Sequence, residues 1–341
     1  MAGGGGENNP NFPSDLDIKP SSAPEVALSS NVGAPDLVSI DERFSTRAQE
    51  HTIREYGIAG RVWEASYAIL VYLDRSAGSD DEVEFDPPPF TSGPRSGGSQ
   101  LTIVELGSGT GLVAARLAKY VVLRRDLIIA TDLPDVCPLL EHNLCVSSSD
   151  TILVRPLAWG SQDHALQLTR DFGHESASRS DSCTGARHLT HIICSDLVYF
   201  PALLAPLLRT LLQLTAPPFA PPGGDSVPAQ LVISYKIRSL PKETPFWSAF
   251  GLWFRFDAVL ARPKTDVSEP HSAWSRFVPV PSDQETYVLV AYRRPESLAW
   301  TVPEDDQELL AGVGAWGTLV GKTDDKFEEM LLLNISFSDE E

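Results

Sequence analysis

The sequence predicts a doubly wound α/β sheet, mostly parallel and finished by an antiparallel strand pair. Three observations carry this. Short, continuous apolar runs recur along the chain, each about the length of a strand buried on both faces. Segments with helical spacing lie between them, and that alternation winds a parallel sheet through right-handed crossovers. The last two runs instead alternate apolar and polar residues, as an antiparallel pair at a sheet edge does.

Taken in order, Gly60–Asp74 places Val62, Tyr67, Leu70, Val71 and Leu73 at helical spacing. LTIVEL (101–106) follows as the first buried strand, then Gly-Ser-Gly-Thr-Gly and a helix, LVAARLAKYV, with Leu112, Ala115, Leu117 and Ala118 inward. DLIIATD (126–132) is the second strand and PDVCPLLEHNL the second helix of this set, with Pro134 tolerated in its first turn. TILVRPL (151–157) and HIICSD (191–196) are the next strands; a Leu-rich helix at 201–214 leads to LVISYK (231–236). WFRFDAVL (253–260) and ETYVLVAY (285–292) form the terminal pair. No internal repeat appears.

Composition sets the boundaries of this domain. Residues 1–45 are rich in Gly, Pro, Ser and acids and read as an unstructured arm. Stretches 75–100, 161–188 and 216–228 have the same character and read as loop insertions, which cost little closure entropy. The domain is expected over 46–300. From Thr301 to Glu341 there are eleven acids and two lysines alongside Leu309, Leu310, Trp316 and Leu331–Leu333, an acidic extension able to dock or to stay loose.

Across 341 residues, 46 acids against 27 Lys and Arg give a net charge of −19. That balance disfavours nucleic acid, whose phosphates need clustered cations, and favours neutral or basic partners. Cys137, Cys145, Cys183 and Cys194 form no C-x-x-C pair and no metal-ligand spacing, so no metal is expected. Cys194 lies in an apolar run and reads as an inert buried thiol. The N-terminus has no secretory pattern and the longest apolar stretch, from Leu197, is broken by Pro201, Pro206 and Arg209. The expectation is a cytoplasmic monomer without membrane attachment.

The chemistry concentrates at Glu105-Leu-Gly107-Ser108-Gly109-Thr-Gly111, between a buried strand and a helix. Glycines there allow a tight turn and close approach of a ligand to the backbone. Asp132 ends the next strand, where a carboxylate meets a ribose hydroxyl pair. Two phosphate-binding readings compete poorly. The dinucleotide pattern G-x-G-x-x-G/A needs its third glycine where Leu112 stands, and no Gly-Lys-Ser/Thr follows for a phosphate loop. Glu105 would repel a pyrophosphate but suits a cation. S-adenosyl-L-methionine has no phosphate, carries a sulfonium and an ammonium, and has the ribose that Asp132 suits. A turn with no ligand is the bland alternative.

At this point the chain resembles the seven-β-strand protein lysine methyltransferases of methyltransferase family 16, over residues 56–295. GIAGRVWEAS (57–66), VELGSGTGLV (104–113), ATDLPDV (130–136), Ala158-Trp159-Gly160 and Ser195-Asp196-Leu197-Val198-Tyr199 carry the resemblance, in the family's order. Within the family it is similar to the methyltransferase-like 21 group and to fungal elongation factor 1-alpha lysine methyltransferases, often labelled nicotinamide N-methyltransferase-like. The resemblance implies a Rossmann-like seven-stranded sheet, S-adenosyl-L-methionine as donor and S-adenosylhomocysteine as product, and a lysine-bearing protein substrate such as elongation factor 1-alpha. It implies that Trp63 borders the donor, that Glu105, Ser108 and the Gly107–Gly109 backbone hold its amino acid part, and that Asp132 and Leu133 face the ribose side. Trp159 would flank the adenine and Ser195 would line the pocket floor. Asp196 and Tyr199 would shape the methyl-transfer site.

Each aromatic has a bland rival as a core anchor, and Asp196 one as a helix N-cap. A neutral amine is the nucleophile, and reaching it at pH 7 from a lysine pKa of about 10.4 costs roughly 4.6 kcal/mol. A bare carboxylate raises that cost. Asp196 is therefore expected to orient the amine rather than to act as a strong base, with Tyr199 offering a cation–π face. Four other readings are weighed against this. A small-molecule N-methyltransferase of nicotinamide type keeps the donor site. An adenine methyltransferase wants prolines where Leu197 and Val198 stand, and an NAD oxidoreductase wants the absent glycine spacing. A binding module on a dead fold keeps neither the glycine turn nor the Asp196/Tyr199 pair for a reason. Residues 234–238 read as an edge facing the protein substrate or solvent.

Overall fold

A computed structural model of the protein describes residues 17–22, 41–74, 83–92, 100–145, 151–178, 187–221, 227–264, 273–279 and 283–335. Cys183 and most of the 1–45 and 75–100 stretches lie outside them.

Seven strands make the main sheet. They are β2 (Thr102–Leu106), β3 (Leu127–Asp132), β4 (Ile152–Pro156), β5 (His191–Ser195), β6 (Gln230–Lys236), β7 (Phe254–Ala258) and β10 (Thr286–Arg293), in spatial order β4-β3-β2-β5-β6-β10-β7. The first five run parallel. β10 inserts antiparallel between β6 and β7, pairing Leu289 with Ile233 on one side and with Ala258 on the other. The predicted antiparallel finish is therefore correct, and the α/β, Rossmann-like doubly wound sheet is the fold. Strand order reverses between β2 and β5, and a crevice at such a reversal is where open α/β sheets bind ligands.

Alternate side chains on each strand feed two cores. Val104, Ile129, Ile192, Cys194, Leu231, Ile233 and Leu289 face one side. There they meet α5 (Gln162–Ser178), α6 (Pro201–Leu214) and α7 (Leu240–Trp253). Ile103, Ile128, Ile193, Val232 and Val288 face the other. That side is covered by α2 (Glu64–Asp74), α3 (Leu112–Leu117) and α4 (Cys137–Leu144). Helix α1 (Thr46–Tyr56) precedes them, its N-terminus capped by Ser45, whose hydroxyl accepts from the Ala48 N–H. A small second sheet, of β1 (Val83–Asp86), β8 (Leu260–Pro263) and β9 (Ser275–Arg276), brings Phe85 and Phe277 edge-on against one another.

Two expectations need correction, and the alternative left open for the acidic extension is decided. Residues 162–178 form helix α5 and not a loop, because Ala165, Leu168 and Phe172 recur on one face and bury against α6. The arm is not wholly without structure: Ser21 is buried, its hydroxyl bonded to the Val62 carbonyl and its N–H to Gln49 Oε1. The acidic extension docks through α8 (Asp306–Leu310) and α9 (Lys326–Ile335). Phe327 stacks on Trp247 of α7 with ring centroids 4.8 Å apart, and Arg209 of α6 pairs with Asp306. Phe327 is fully buried, so Phe327→Ala is expected to cost about 3–5 kcal/mol of stability. Denaturant unfolding of the two proteins would measure it; a loss below about 1 kcal/mol would mean the extension contributes little to the core.

Candidate active site

The site sits at the carboxyl ends of β2, β3, β5 and β6. Leaving β2, the chain turns through Gly107 (φ +55°) and Gly109 (φ +52°), left-handed conformations that cost glycine nothing. A Cβ on Gly107 would lie 2.8 Å from Leu197 and 3.1 Å from Trp159; one on Gly109 would lie 3.0 Å from the Ala59 carbonyl. Neither position has room for a side chain, so the turn packs its backbone directly against Leu197, Trp159 and Ala59. Ser108 ties the turn to β3: its N–H donates to the Thr131 carbonyl and its Oγ accepts from the Thr131 N–H.

Asp132, ending β3, accepts from the Gly109 N–H through Oδ2 and from the Leu133 N–H through Oδ1, both at 2.8 Å. Each oxygen keeps a second lone pair for an incoming hydroxyl. Glu105 lies buried at the end of β2, and its Oε2 has no hydrogen-bond partner. Burial pushes Glu105 up to about 8, opposed by Ser108 and the Ala114 amide and reinforced by Asp132. Burial likewise pushes Asp132 up to about 6, against its two backbone bonds. Two buried acids in one pocket, one with an oxygen that has no partner, suit a ligand with positive charge.

Beyond β5, Asp196 adopts φ +62°, a left-handed conformation uncommon outside glycine and most tolerated in Asp and Asn. Its N–H donates to the Ser234 carbonyl at 2.8 Å. The turn aims the carboxylate across to Arg238, whose Nη1 and Nη2 donate to Oδ1 and Oδ2 at 2.6 and 2.5 Å. Burial raises the Asp196 pKa and the guanidinium pulls the other way. Ser195 Oγ lies 3.0 Å from Ser66 Oγ and 3.3 Å from Ser234 Oγ, tying β5 to α2 and β6. Tyr199 meets Trp159 edge-on at 6.4 Å and Phe200 at 4.8 Å. Burial, with Asp132 and Asp196 nearby, raises its phenol pKa, so it stays neutral.

All eleven residues singled out from the sequence line one cavity of about 480 Å³: Trp63, Glu105, Gly107, Ser108, Gly109, Asp132, Leu133, Trp159, Ser195, Asp196 and Tyr199. Trp63 donates its indole N–H to the Ile58 carbonyl at 3.0 Å, which fixes the ring. Sequence reasoning missed Arg238. It is neither a solvated edge cation nor a free substrate contact, but part of the cavity wall, over the Trp63 ring at 5.2 Å. The available signal was its position, two residues past the end of the strand beside β5. Asp196 is not a bare carboxylate, because Arg238 occupies both of its oxygens. Cys194 faces the core and burial raises its thiol pKa, consistent with an inert role. Among the described residues no cluster of His, Cys, Asp and Glu could hold a metal, and no helix is long and apolar enough to cross a membrane.

The Glu105 carboxyl is buried, and its effect on stability can be signed. A carboxyl at about 8 when folded, against an ordinary 4.5, favours the fold while protonated; that contribution is lost as pH rises from 4.5 toward 8. Glu105→Gln should therefore raise the melting temperature at pH 8 by roughly 10 °C and change it far less near pH 5. Equal shifts at both pH values would refute a titrating Glu105.

Residues 44–246 match the model of a family described as lysine methyltransferase. Protein-lysine N-methyltransferase EFM6 of Saccharomyces cerevisiae is 28% identical over 166 residues, 47% of this chain and 60% of the yeast protein. The chain thus spans three-fifths of that relative's length. Among solved structures, the DszA carbon methyltransferase is 16% identical, with a TM-score of 0.34, covering 67% of this chain and 52% of that one. TrmN from Thermus thermophilus is 14% identical, with a TM-score of 0.33, over 67% and 48%. The family match takes in more than half of the chain, including every strand end that frames the cavity, and the chain belongs to the lysine methyltransferase family.

Proposed function

We propose that the protein is an S-adenosyl-L-methionine-dependent protein N-lysine methyltransferase that modifies a translation protein such as elongation factor 1-alpha. The observation that carries this is the buried pair Glu105 and Asp132, one oxygen of it unpartnered, in a glycine-walled cavity shared with Asp196 and Tyr199. The orphaned Glu105 Oε2, in a cavity also lined by Gly107, Gly109 and Asp132, suits a cationic nucleoside. That donor supplies a methyl group on a sulfonium.

The chain's own residues divide the remaining work. Glu105, Ser108 and the Gly107–Gly109 backbone hold the amino acid end; Asp132 and Leu133 take the ribose; Trp63, Trp159 and Ser195 enclose the rest. Asp196 orients the amine, and the Tyr199 ring offers the lysine, while it arrives as the ammonium and before its proton leaves, a cation–π face worth about 0.5–2 kcal/mol. The reaction is promoted mainly by alignment. The elongation-factor substrate rests on the family resemblance and on the acidity of the chain, which suits a basic partner.

The test has two parts. Calorimetry should show donor binding that strengthens between pH 6 and pH 8, because a cation prefers Glu105 and Asp132 ionised and their pKa values lie at about 8 and about 6. Labelled donor and a lysate from cells lacking the protein should then yield a labelled band whose modified lysine is located by mass spectrometry. No binding at any pH would refute the donor site, and label confined to small metabolites would refute the protein substrate in favour of a nicotinamide-type reaction.

A further inference from the structure

The cavity carries its acids in two different electrical states. At the glycine turn, Glu105 and Asp132 face the cavity with backbone or hydroxyl contacts alone. Beyond β5, Asp196 in the lining and Glu64 next to Trp63 are each matched to a guanidinium. Arg61 reaches the two Glu64 oxygens at 2.5 and 3.3 Å, and Arg238 stands 3.5 Å from Glu64 and 2.5 Å from Asp196. Both guanidinium groups lie over Trp63, at 4.3 and 5.2 Å from its ring centre. Arg61, Glu64, Arg238 and Asp196 therefore form a row of alternating charges that sums to zero, with Arg61, Arg238 and Asp196 in the cavity lining.

We propose that Arg238 is the charge-balancing residue of the methyl-transfer site, holding Asp196 as half of an ion pair so that donor and amine meet a neutral dipole there. The proposal rests on the donor reading above and adds a role to it.

Five observations favour balance over simple wall-building. The Asp196 side chain is 1% exposed, so water cannot neutralise it, and the contact is bidentate, the geometry with which arginine grips a carboxylate most firmly. Arg238 is locked further by donating Nη1 to the Lys236 carbonyl at 3.1 Å. Burial alone would lower its pKa, but Asp196 and Glu64 outweigh it and raise it, so the cation does not titrate away. Glu243, also on this wall, is committed elsewhere: it accepts from the Arg238 and Ser239 N–H groups and from the Tyr235 hydroxyl.

The chemical consequence follows from where the charges change. An uncompensated Asp196 would attract the sulfonium most in the ground state, and binding of that kind does not accelerate the chemical step. It would also hold an arriving lysine as the ammonium, the unreactive form. Pairing Asp196 with Arg238 removes both penalties and leaves its free lone pairs to accept an amine N–H.

The donor and its product differ by one positive charge at sulfur, so their affinities report the field at that end of the cavity. Calorimetry with S-adenosylmethionine and with S-adenosylhomocysteine would be run on the wild type, Arg238→Met, Arg238→Lys and Asp196→Asn. In Arg238→Met the preference for S-adenosylmethionine should rise about tenfold, as for one unscreened charge nearby, with product affinity nearly unchanged. Arg238→Lys should keep the wild-type preference, and Asp196→Asn should shift it the opposite way. An unchanged ratio in both Arg238→Met and Asp196→Asn would overturn the charge-balancing role while leaving the donor site intact. Should Arg238→Met fail to fold, the direction of the Asp196→Asn shift decides. A wild type that binds neither molecule would overturn the donor reading first.

Discussion

Asp132→Ala should weaken S-adenosylmethionine binding by more than about a hundredfold. The carboxylate is placed to accept two hydroxyl donors, and hydrogen bonds to a charged group are worth about 1.5–3 kcal/mol each. Losing both corresponds to a factor between about a hundred and ten thousand. A second loss compounds this. The Gly109 and Leu133 N–H groups surrender their acceptor, so the turn that shapes the cavity loses its tether to β3. Asp132→Asn separates the two contributions, because the amide oxygen can still accept one of these N–H groups while the charge is gone. Calorimetry with a melting curve beside it checks the result: a folded alanine variant that binds the donor normally would remove Asp132 from the ribose.

Asp196→Asn should leave S-adenosylhomocysteine affinity within a few-fold of wild type while methyl transfer falls by at least about a hundredfold, the loss expected when a reacting group is held about 1 Å out of place. Asparagine nearly matches the shape of aspartate, so the left-handed turn at this position survives. What changes is that one of the two oxygens gripped by Arg238 becomes an N–H₂ group, a donor facing a donor. The guanidinium must then move, and the amine loses the acceptor that aligns it. Single-turnover labelling with donor already bound distinguishes this from poor binding. Product affinity lost in step with activity would instead put Asp196 among the donor contacts.

The strands were legible because a run such as LTIVEL or HIICSD is too short and too uniformly apolar for anything but a buried sheet, and the glycine turn because its spacing is local. Helix α7 was not legible. Pro241 and Pro245 lie within LPKETPFWSAFGLW, and its apolar residues show no single face. The reason is visible in the fold: α7 is covered by the sheet on one side and by Phe327 of α9 on another, so it has no polar stripe. Helix α5 was hidden by the Ser, Asp and His content around Ala165, Leu168 and Phe172. The pocket acids could be named from motifs, but the Arg238–Asp196 pair joins residues 42 positions apart across two strand ends. Only the register of β5 against β6, with Ser195 opposite Ser234, brings them together.

Anyone preparing shortened forms of this chain for crystals or assays should keep the stretch that contains Ser21. Its hydroxyl grips the Val62 carbonyl, and the Arg61 guanidinium reaches back to the carbonyl of Lys19 at 2.7 Å. Those two contacts clamp the peptide on which Trp63 rides, so a clone begun at the first helix would discard a brace of the reaction chamber along with an apparently dispensable leader.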